Sequence, residues 1–549
     1  MSLRPEIFQE VPEETARIAH AAFKKSSPAM LIRDELACLY DDAEFSALYP
    51  ECGQPGISPW RLAVVTILQY IEGLSDRQAA DAVRGRIDWK YALGLELEDR
   101  GFDASVLSEF RGRLVEAGFE YELLNRQLAV LHERGYLKGR GRQRTDSTHV
   151  LAAVRTPNRL MNVMETLRHA LNELSRLVPD WLQTHLEPDW YERYGRRIED
   201  SRLPNTKAEW AALAHQVGQD GLALLKAIES LDTPSAAASA PSISLLRQIW
   251  EQQYEMVGDT VRLRTAEELP PTAELILSPY DPEARQGVKR DTTWIGYKCH
   301  LTETCDEQAP HVITHIETTP ATTPDEQTLM AVHTALQAKG LLPDEHLVDA
   351  GYTDSFRLAE SRLLFEVDLV GPVTQENSWQ AKTPDAFSTA YFAIDWEQKT
   401  VTCPAGHEAI SWREYPDHHG QPTIVTHFAT KTCAACPLRQ RCTRSPTSAR
   451  SLSFRPKAQQ QALQSARSRQ LTPEFKKQYA ARAGIEGTFS QGVRVSDLRH
   501  ARYIGYAKTR LQHILTAVAL NIVRISSWLD EQPFAHTRRA PFTVLAPTA

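Results

Sequence analysis

The sequence predicts a mixed α/β fold in which short strands on both sides of a long helical stretch join one sheet. Three observations predict it. Apolar residues at 3–4 spacing run from about residue 10 to 135, return from 157 to 268 and return again from 471 to 530. β-Branched, strand-like stretches fall outside those regions: RTDSTHVLAAV from Arg144, TWIGYKCHLTET and HVITHIETTP. At 549 residues one core does not suffice, and three or four structural units are expected.

In order along the chain, Trp60 to Leu74 has the helical period, and Ser75 is a plausible N-cap for the helix formers after it. LSDRQAADAVRGRIDWKYALGL has the pattern of helix, turn, helix, compatible with a DNA reader or with a plain bundle. A strand follows at RTDST. Pro157 to Glu268 is a helical insertion containing a flexible linker, TPSAAASAP (Thr233 to Pro241). Its role is open between contact with DNA, dimerisation and structure. Two strands divided by CDEQAP come next, then a helix from PDEQTL, a short apolar strand in EHLVDAGYTD and a further buried strand in LLFEVDLVGPV. Residues 391 to 450 hold a hairpin and a cysteine cluster. The last 17 or so residues have a disordered composition.

Composition excludes several classes. Hydrophobic residues at 42% and charged residues at 24% are ordinary for a globular chain. No apolar run of about 18 residues predicts a membrane span. The acidic start, MSLRPEIFQEVPEE, lacks the apolar core of a secretory signal. Eight cysteines are too few for a disulfide scaffold, so a reducing, cytoplasmic home is expected.

A net charge of −8 argues at first against a polyanionic partner. The distribution reverses that argument. From Lys431 to Arg510 there are 17 basic side chains and three acidic ones, a local charge of +14, which leaves −22 for the rest. A second basic run holds Lys138, Arg140, Arg142 and Arg144. Such blocks suit a polyanion surface, whereas a single short run is more often a solvated face.

Three acids stand where a metal site needs them. Asp146 lies on a strand after basic residues, Asp349 ends a short strand, and Glu486 lies on a helix with basic neighbours. Hard oxygen donors of this kind suit Mg²⁺ or Mn²⁺, and two such ions clamp an in-line phosphoryl transfer. Lys298 and His300 alternate with Cys299 and share one strand face, reaching the site or DNA, or simply packing there. Asp325 and Glu326 open a helix, where acids serve more often as caps than as catalysts.

Cys403, Cys433, Cys436 and Cys442 concentrate half the cysteines in 40 residues, and CPAG resembles a zinc-ribbon knuckle. Four thiolates complete a closed, structural Zn²⁺ site, with His407 able to replace one of them; free thiols are the alternative. Cys38, Cys52, Cys299 and Cys305 lack such spacing and read as buried free thiols.

RTDSTHV, GYKCH, VDAGYTD and YAARAGIEGTFSQGVR resemble the DDE transposases of bacterial insertion sequences, closest to the family numbered eleven-eighty-two within the IS-four/IS-five group. The resemblance runs from about residue 20 to 525. It implies a ribonuclease-H-like catalytic core (136–156, 269–395 and 465–530), interrupted by the helical insertion (157–268) and by a zinc-ribbon-like basic module (396–464). An N-terminal helical, helix-turn-helix-like DNA-binding domain (1–135) precedes the core and a disordered tail (531–549) follows. It assigns Asp146, Asp349 and Glu486 to two catalytic metals. The group's Tyr-x2-Arg-x3-Glu-x6-Lys pattern is matched by Tyr479, Arg482 and Glu486, while Val493 takes the lysine position and Arg494 follows it. Arg482 lies one turn before Glu486, placed for a phosphate contact or an i,i+4 ion pair. Expected DNA contacts are Arg482, Arg494, Tyr479, Lys298, Arg499, Arg502, Lys508, Arg84 and Arg86.

The implied activity is cleavage of element-end DNA and joining of the 3′-hydroxyl to a target, by at least a homodimer. A nuclease without strand transfer and a non-catalytic DNA-binding descendant are the alternatives.

Overall fold

A computed structural model describes residues 2–5, 10–36, 39–154, 158–198, 203–289, 291–418 and 420–532. Cys38 and nearly all of the expected tail lie outside the described residues. The chain opens with helices α1 (Glu13–Ala22), α2 (Pro28–Asp34), α3 (Pro59–Glu72), α4 (Asp76–Gly85), α5 (Ile87–Leu93), α6 (Ser105–Glu116) and α7 (Glu120–Glu133). Ser75 caps α4 reciprocally with Gln78. Arg86 alone separates α4 from α5, and α5 is buried from Asp88 to Leu93, Trp89 and Lys90 included. The expected helix-turn-helix reader is therefore corrected: a helix enclosed this way cannot enter a major groove.

Strand β1 (Arg142–Leu151) leads into an insertion of α8 (Arg159–Leu177), α9 (Pro179–Gln183), α10 (Pro188–Tyr194), α11 (Lys207–Ile228), α12 (Ser235–Ala238) and α13 (Pro241–Gln253), closed by the hairpin β2 (Tyr254–Val257) and β3 (Thr260–Leu263). It has its own buried core, from Leu160 to Ile276. The expected linker at 233–241 is instead the short helix α12, whose Ala237 is fully buried.

The chain then forms β4 (Arg285–Lys289), β5 (Thr292–Thr304), β6 (Ile313–Pro320), α14 (Asp325–Ala338), β7 (Glu345–Val348), α15 (Ser355–Phe365) and β8 (Asp368–Val370). The apolar run at LLFEV is mostly helix: α15 continues to Phe365, with Leu363 and Leu364 exposed. A small module holds α16 (Trp379–Lys382), β9 (Ala393–Asp395), β10 (Thr400–Thr402), β11 (Ser411–Pro416), β12 (Pro422–His427), α17 (Thr430–Ala435), α18 (Arg439–Cys442) and β13 (Ser451–Phe454). Helices α19 (Lys457–Gln470), α20 (Pro473–Ala480), α21 (Gly484–Ser496) and α22 (Tyr506–Leu529) complete the chain.

One six-stranded sheet organises the site. β5 pairs antiparallel with β1 along one edge and with β6 and β4 along the other; β1 pairs parallel with β7, and β7 parallel with β8. Helix α22 lies against β6, where the buried Asn521 amide accepts from the Ile313 N–H and donates to its carbonyl. These bonds satisfy strand backbone that burial would otherwise leave unpaired. One continuous core joins α2–α7, the sheet, α21 and α22, so apolar packing crosses the boundary expected near residue 135.

The basic run at 138–144 also reads differently in the fold. Arg140 pairs with Asp344 at 2.8 Å, Arg142 with Glu345 at 3.1 Å, and Arg144 is buried against Glu303 at 2.6 Å. Three of its four cations are neutralised internally, which leaves little free charge for a polyanion.

Candidate active site

The pairing register brings two of the three acids together. Thr145 of β1 lies opposite Val348, the last residue of β7. Asp146 and Asp349 are the next residues on adjacent strands, about 5 Å apart in the backbone. β1 continues past that point on β5, and its other edge is next bridged only at Leu151, by His500, so a gap opens along that edge where β7 ends. The Ser147 N–H donates to Asp146 Oδ1 at 2.7 Å, and the Gly351 N–H to Asp349 Oδ1 at 2.8 Å.

The third acid arrives on α21. Arg482, in the turn before α21, donates to Asp146 Oδ2 and lies 3.7 Å from Glu486 Oε1. One guanidinium thus faces carboxylates separated by 340 residues of chain. The Glu486 side chain is 72% exposed, whereas Asp146 is buried. Burial pushes the Asp146 carboxyl up to about 6; Arg482 and the Ser147 N–H oppose the rise and Asp349 adds to it. The site is short of positive charge even with Arg482 in place.

Ser147, which the sequence reading passed over, and Asp325, read there as a helix cap, border this cluster. Ser147 Oγ donates to Asp325 Oδ2 at 3.1 Å, and Lys298 Nζ donates to Asp325 Oδ1 at 2.9 Å. Asp325 opens α14 but makes no cap. Burial acts to raise its carboxyl, yet His300 and Lys298 beside it hold it below the usual range. His300 itself is pushed down to about 4 by burial and hydrogen-bonds Tyr352 at 2.6 Å and Thr319 at 3.0 Å, the satisfied strand histidine.

The expected DNA contacts divide. Lys298 is corrected: its ammonium is spent on Asp325 and the Thr323 carbonyl. Arg86 pairs with Asp88 and Glu72 and lies over Trp89. Arg84 is exposed but pairs with Asp81. Tyr479 stacks on Phe475, the packed reading. Arg502 lies over Tyr70 and donates to the Leu74 carbonyl. Arg499 is exposed and donates to Thr148 Oγ1, two residues beyond Asp146. Arg494 and Lys508 are exposed on α21 and α22.

In the small module, Cys403, Cys433, Cys436 and Cys442 line one cavity with His407 and Arg450. The His407 N–H points at Cys403 Sγ, 3.4 Å away. Burial raises the Cys442 thiol; Arg450 opposes this, and the other three cysteines add to it. Among the described residues, no three His, Cys, Asp or Glu side chains stand in an arrangement ready to hold an ion, here or at Asp146. Cys52 is exposed, contrary to expectation, while Cys299 and Cys305 are buried.

Comparison with known families bears on both ends of the chain. No curated protein matches it. Among the described residues, no helix is long and apolar enough to cross a membrane. Residues 21–113 match the family model described as a transposase domain (DUF772). Residues 402–526 match the one described as a transposase DDE domain, a span that includes the four clustered cysteines, Arg482 and Glu486 but neither Asp146 nor Asp349. DDE transposase domains generally use divalent metals and act on DNA, and the two matches together support a DDE transposase.

Proposed function

We propose that the chain is an insertion-sequence transposase that binds element-end DNA, cleaves it with two divalent metals and joins the 3′-hydroxyl to target DNA. The observation that carries this reading is that Arg482 faces both Asp146 and Glu486, while Asp349 follows the strand next to Asp146. A ribonuclease-H-like core is supported by the strand order β6-β5-β1-β7-β8 with two antiparallel and two parallel pairings. Membership of the family numbered eleven-eighty-two rests on the sequence resemblance.

The donor set fits Mg²⁺ or Mn²⁺: all three side chains offer hard oxygens, and the Asp349 charge adds to the burial that disfavours the Asp146 carboxylate. Two such ions, when bound, polarise the attacking water or hydroxyl and offset charge on the leaving oxygen. The protein's own part is positional. β1 and β7 fix the aspartates on a rigid sheet, α21 delivers Glu486 from solvent, and Arg482 is within reach of a phosphate beside the scissile bond. Exposed Arg494, Arg499 and Lys508 extend the positive surface from it.

Zn²⁺ at the four cysteines would be structural, supported by their common cavity and by the knuckle-like N–H contact to Cys403. Synapsis of two ends implies a homodimer in the active complex, in the cytoplasm and at the nucleoid. The test is incubation of purified protein with Mg²⁺ and duplexes carrying the element ends. Cleaved ends together with joined products support transposition. Nicks without joined molecules favour a nuclease, and binding without cleavage a non-catalytic descendant.

A further inference from the structure

The Asp325 carboxylate lies among the catalytic acids although helix geometry gives it no reason to. It is the first residue of α14, one past the N-cap position held by Pro324, and its carboxylate bonds outside its own helix. It accepts instead from Ser147, the residue after Asp146, and from Lys298 on the neighbouring strand β5. It also reaches the turn after Asp349. A methyl group placed on Gly351 would lie 3.1 Å from Asp349 Oδ1 and 3.3 Å from Asp325 Oδ2, so both carboxylates approach one point, where a methyl would be tight. The Asp325 and Lys298 side chains are 11% and 15% exposed, which makes their charges effective on neighbours.

We propose that Asp325 and Lys298 form a positioning pair for the metal-binding aspartates, resting on the transposase reading above. Asp325 fixes the separation of Asp146 and Asp349 by bonding the residue after the first and packing against the turn after the second. Lys298 cancels its charge. The cleft therefore presents the charge of three acids to incoming cations, although four carboxylates border it. The pair's neutrality matters as much as its shape, and this separates the proposal from a merely structural bond.

The test is direct Mn²⁺ binding to the full-length protein without DNA, by calorimetry and by loss of the free-ion electron paramagnetic resonance signal. Asp325→Asn keeps the acceptor for Ser147 but leaves Lys298 uncompensated, so Mn²⁺ affinity should fall on the order of tenfold. Lys298→Met leaves Asp325 uncompensated, so affinity should hold or rise severalfold. The double variant Asp325→Asn with Lys298→Met restores neutrality and should recover most of the lost affinity. Unchanged affinity in Asp325→Asn, or a double variant no better than that single one, overturns the proposal. Should Asp325→Asn not fold, a clear loss of affinity in Lys298→Met overturns it alone. Asp146→Asn separates the two readings: if that variant binds Mn²⁺ like the wild type, the transposase site itself is wrong.

Discussion

Arg144 on β1 and Glu303 on β5 form a buried ion pair at 2.6 Å in contact with the segment that carries Glu486. Glu303 also accepts from Arg524 and from Thr488 of α21, while Arg144 donates to the Ala481 carbonyl. Opposed charges with several hydrogen bonds offset the desolvation of burial; one partner left alone does not. Replacing Glu303 with Ala is expected to cost about 3–5 kcal/mol in denaturant unfolding. Gly484→Ala should also destabilise, because its methyl carbon would lie 2.2 Å from Arg144 Nη1. Wild-type midpoints for both variants would show that the network does not hold α21 in place.

Asp146→Asn and Glu486→Gln should each abolish cleavage while leaving binding of end DNA within about twofold of wild type. Both keep side-chain size and remove a metal-binding charge. Cleavage assays with binding measured in parallel decide the matter, and residual wild-type-like cleavage in either variant would remove that residue from the chemistry.

Arg494 and Lys508 are exposed, so alanine at both should weaken DNA binding and lower its logarithmic salt slope by about 2. Arg86→Ala should leave that slope unchanged and lower stability instead, because Arg86 serves Asp88, Glu72 and Trp89. A changed salt slope in Arg86→Ala would return that residue to the DNA interface.

Stability should fall as pH drops from 6.5 to 4. Burial, the largest cause at each, pushes His300, His311 and His333 down to about 4. In that window the unfolded chain takes up protons that the fold refuses, which costs about 1.4 kcal/mol per imidazole per pH unit at most. Urea unfolding at pH 7.5 and pH 5 measures it; equal stability at the two would contradict the buried, neutral histidines.

One equivalent of zinc is expected in purified protein, lost in Cys433→Ser with a lower melting temperature. Less than half an equivalent in the wild type would point to free thiols.

Strand and helix positions around the acids were legible because Asp146 sits in a β-branched stretch, Asp349 follows a short apolar run and Glu486 sits in a helical period. What the sequence hid was pairing across distance. Arg144 read as surface charge because Glu303 lies 159 residues away. Lys298 read as a DNA contact for the same reason, its partner being Asp325. Asp325 read as a cap because local spacing cannot show a carboxylate turning away from its own helix. In α5, the helix-turn-helix pattern could not show that Lys90 is buried, with its ammonium on the Asp99 and Glu96 carbonyls.

The insertion has its own core, and its ends are tied: Arg159 donates to Gln253 and to the Arg264 carbonyl. β1 is complete at Leu151, but its antiparallel partner begins only at Thr292. On the ribosome, β1 must wait through that interval with both edges bare. An insertion that folds as a unit shortens the effective loop, so β5 meets β1 at a smaller entropic cost than the intervening chain length implies. The helical insertion thus brings the two ends of a long connection close together, so that the pairing of β1 with β5 closes a short loop in place of a long one.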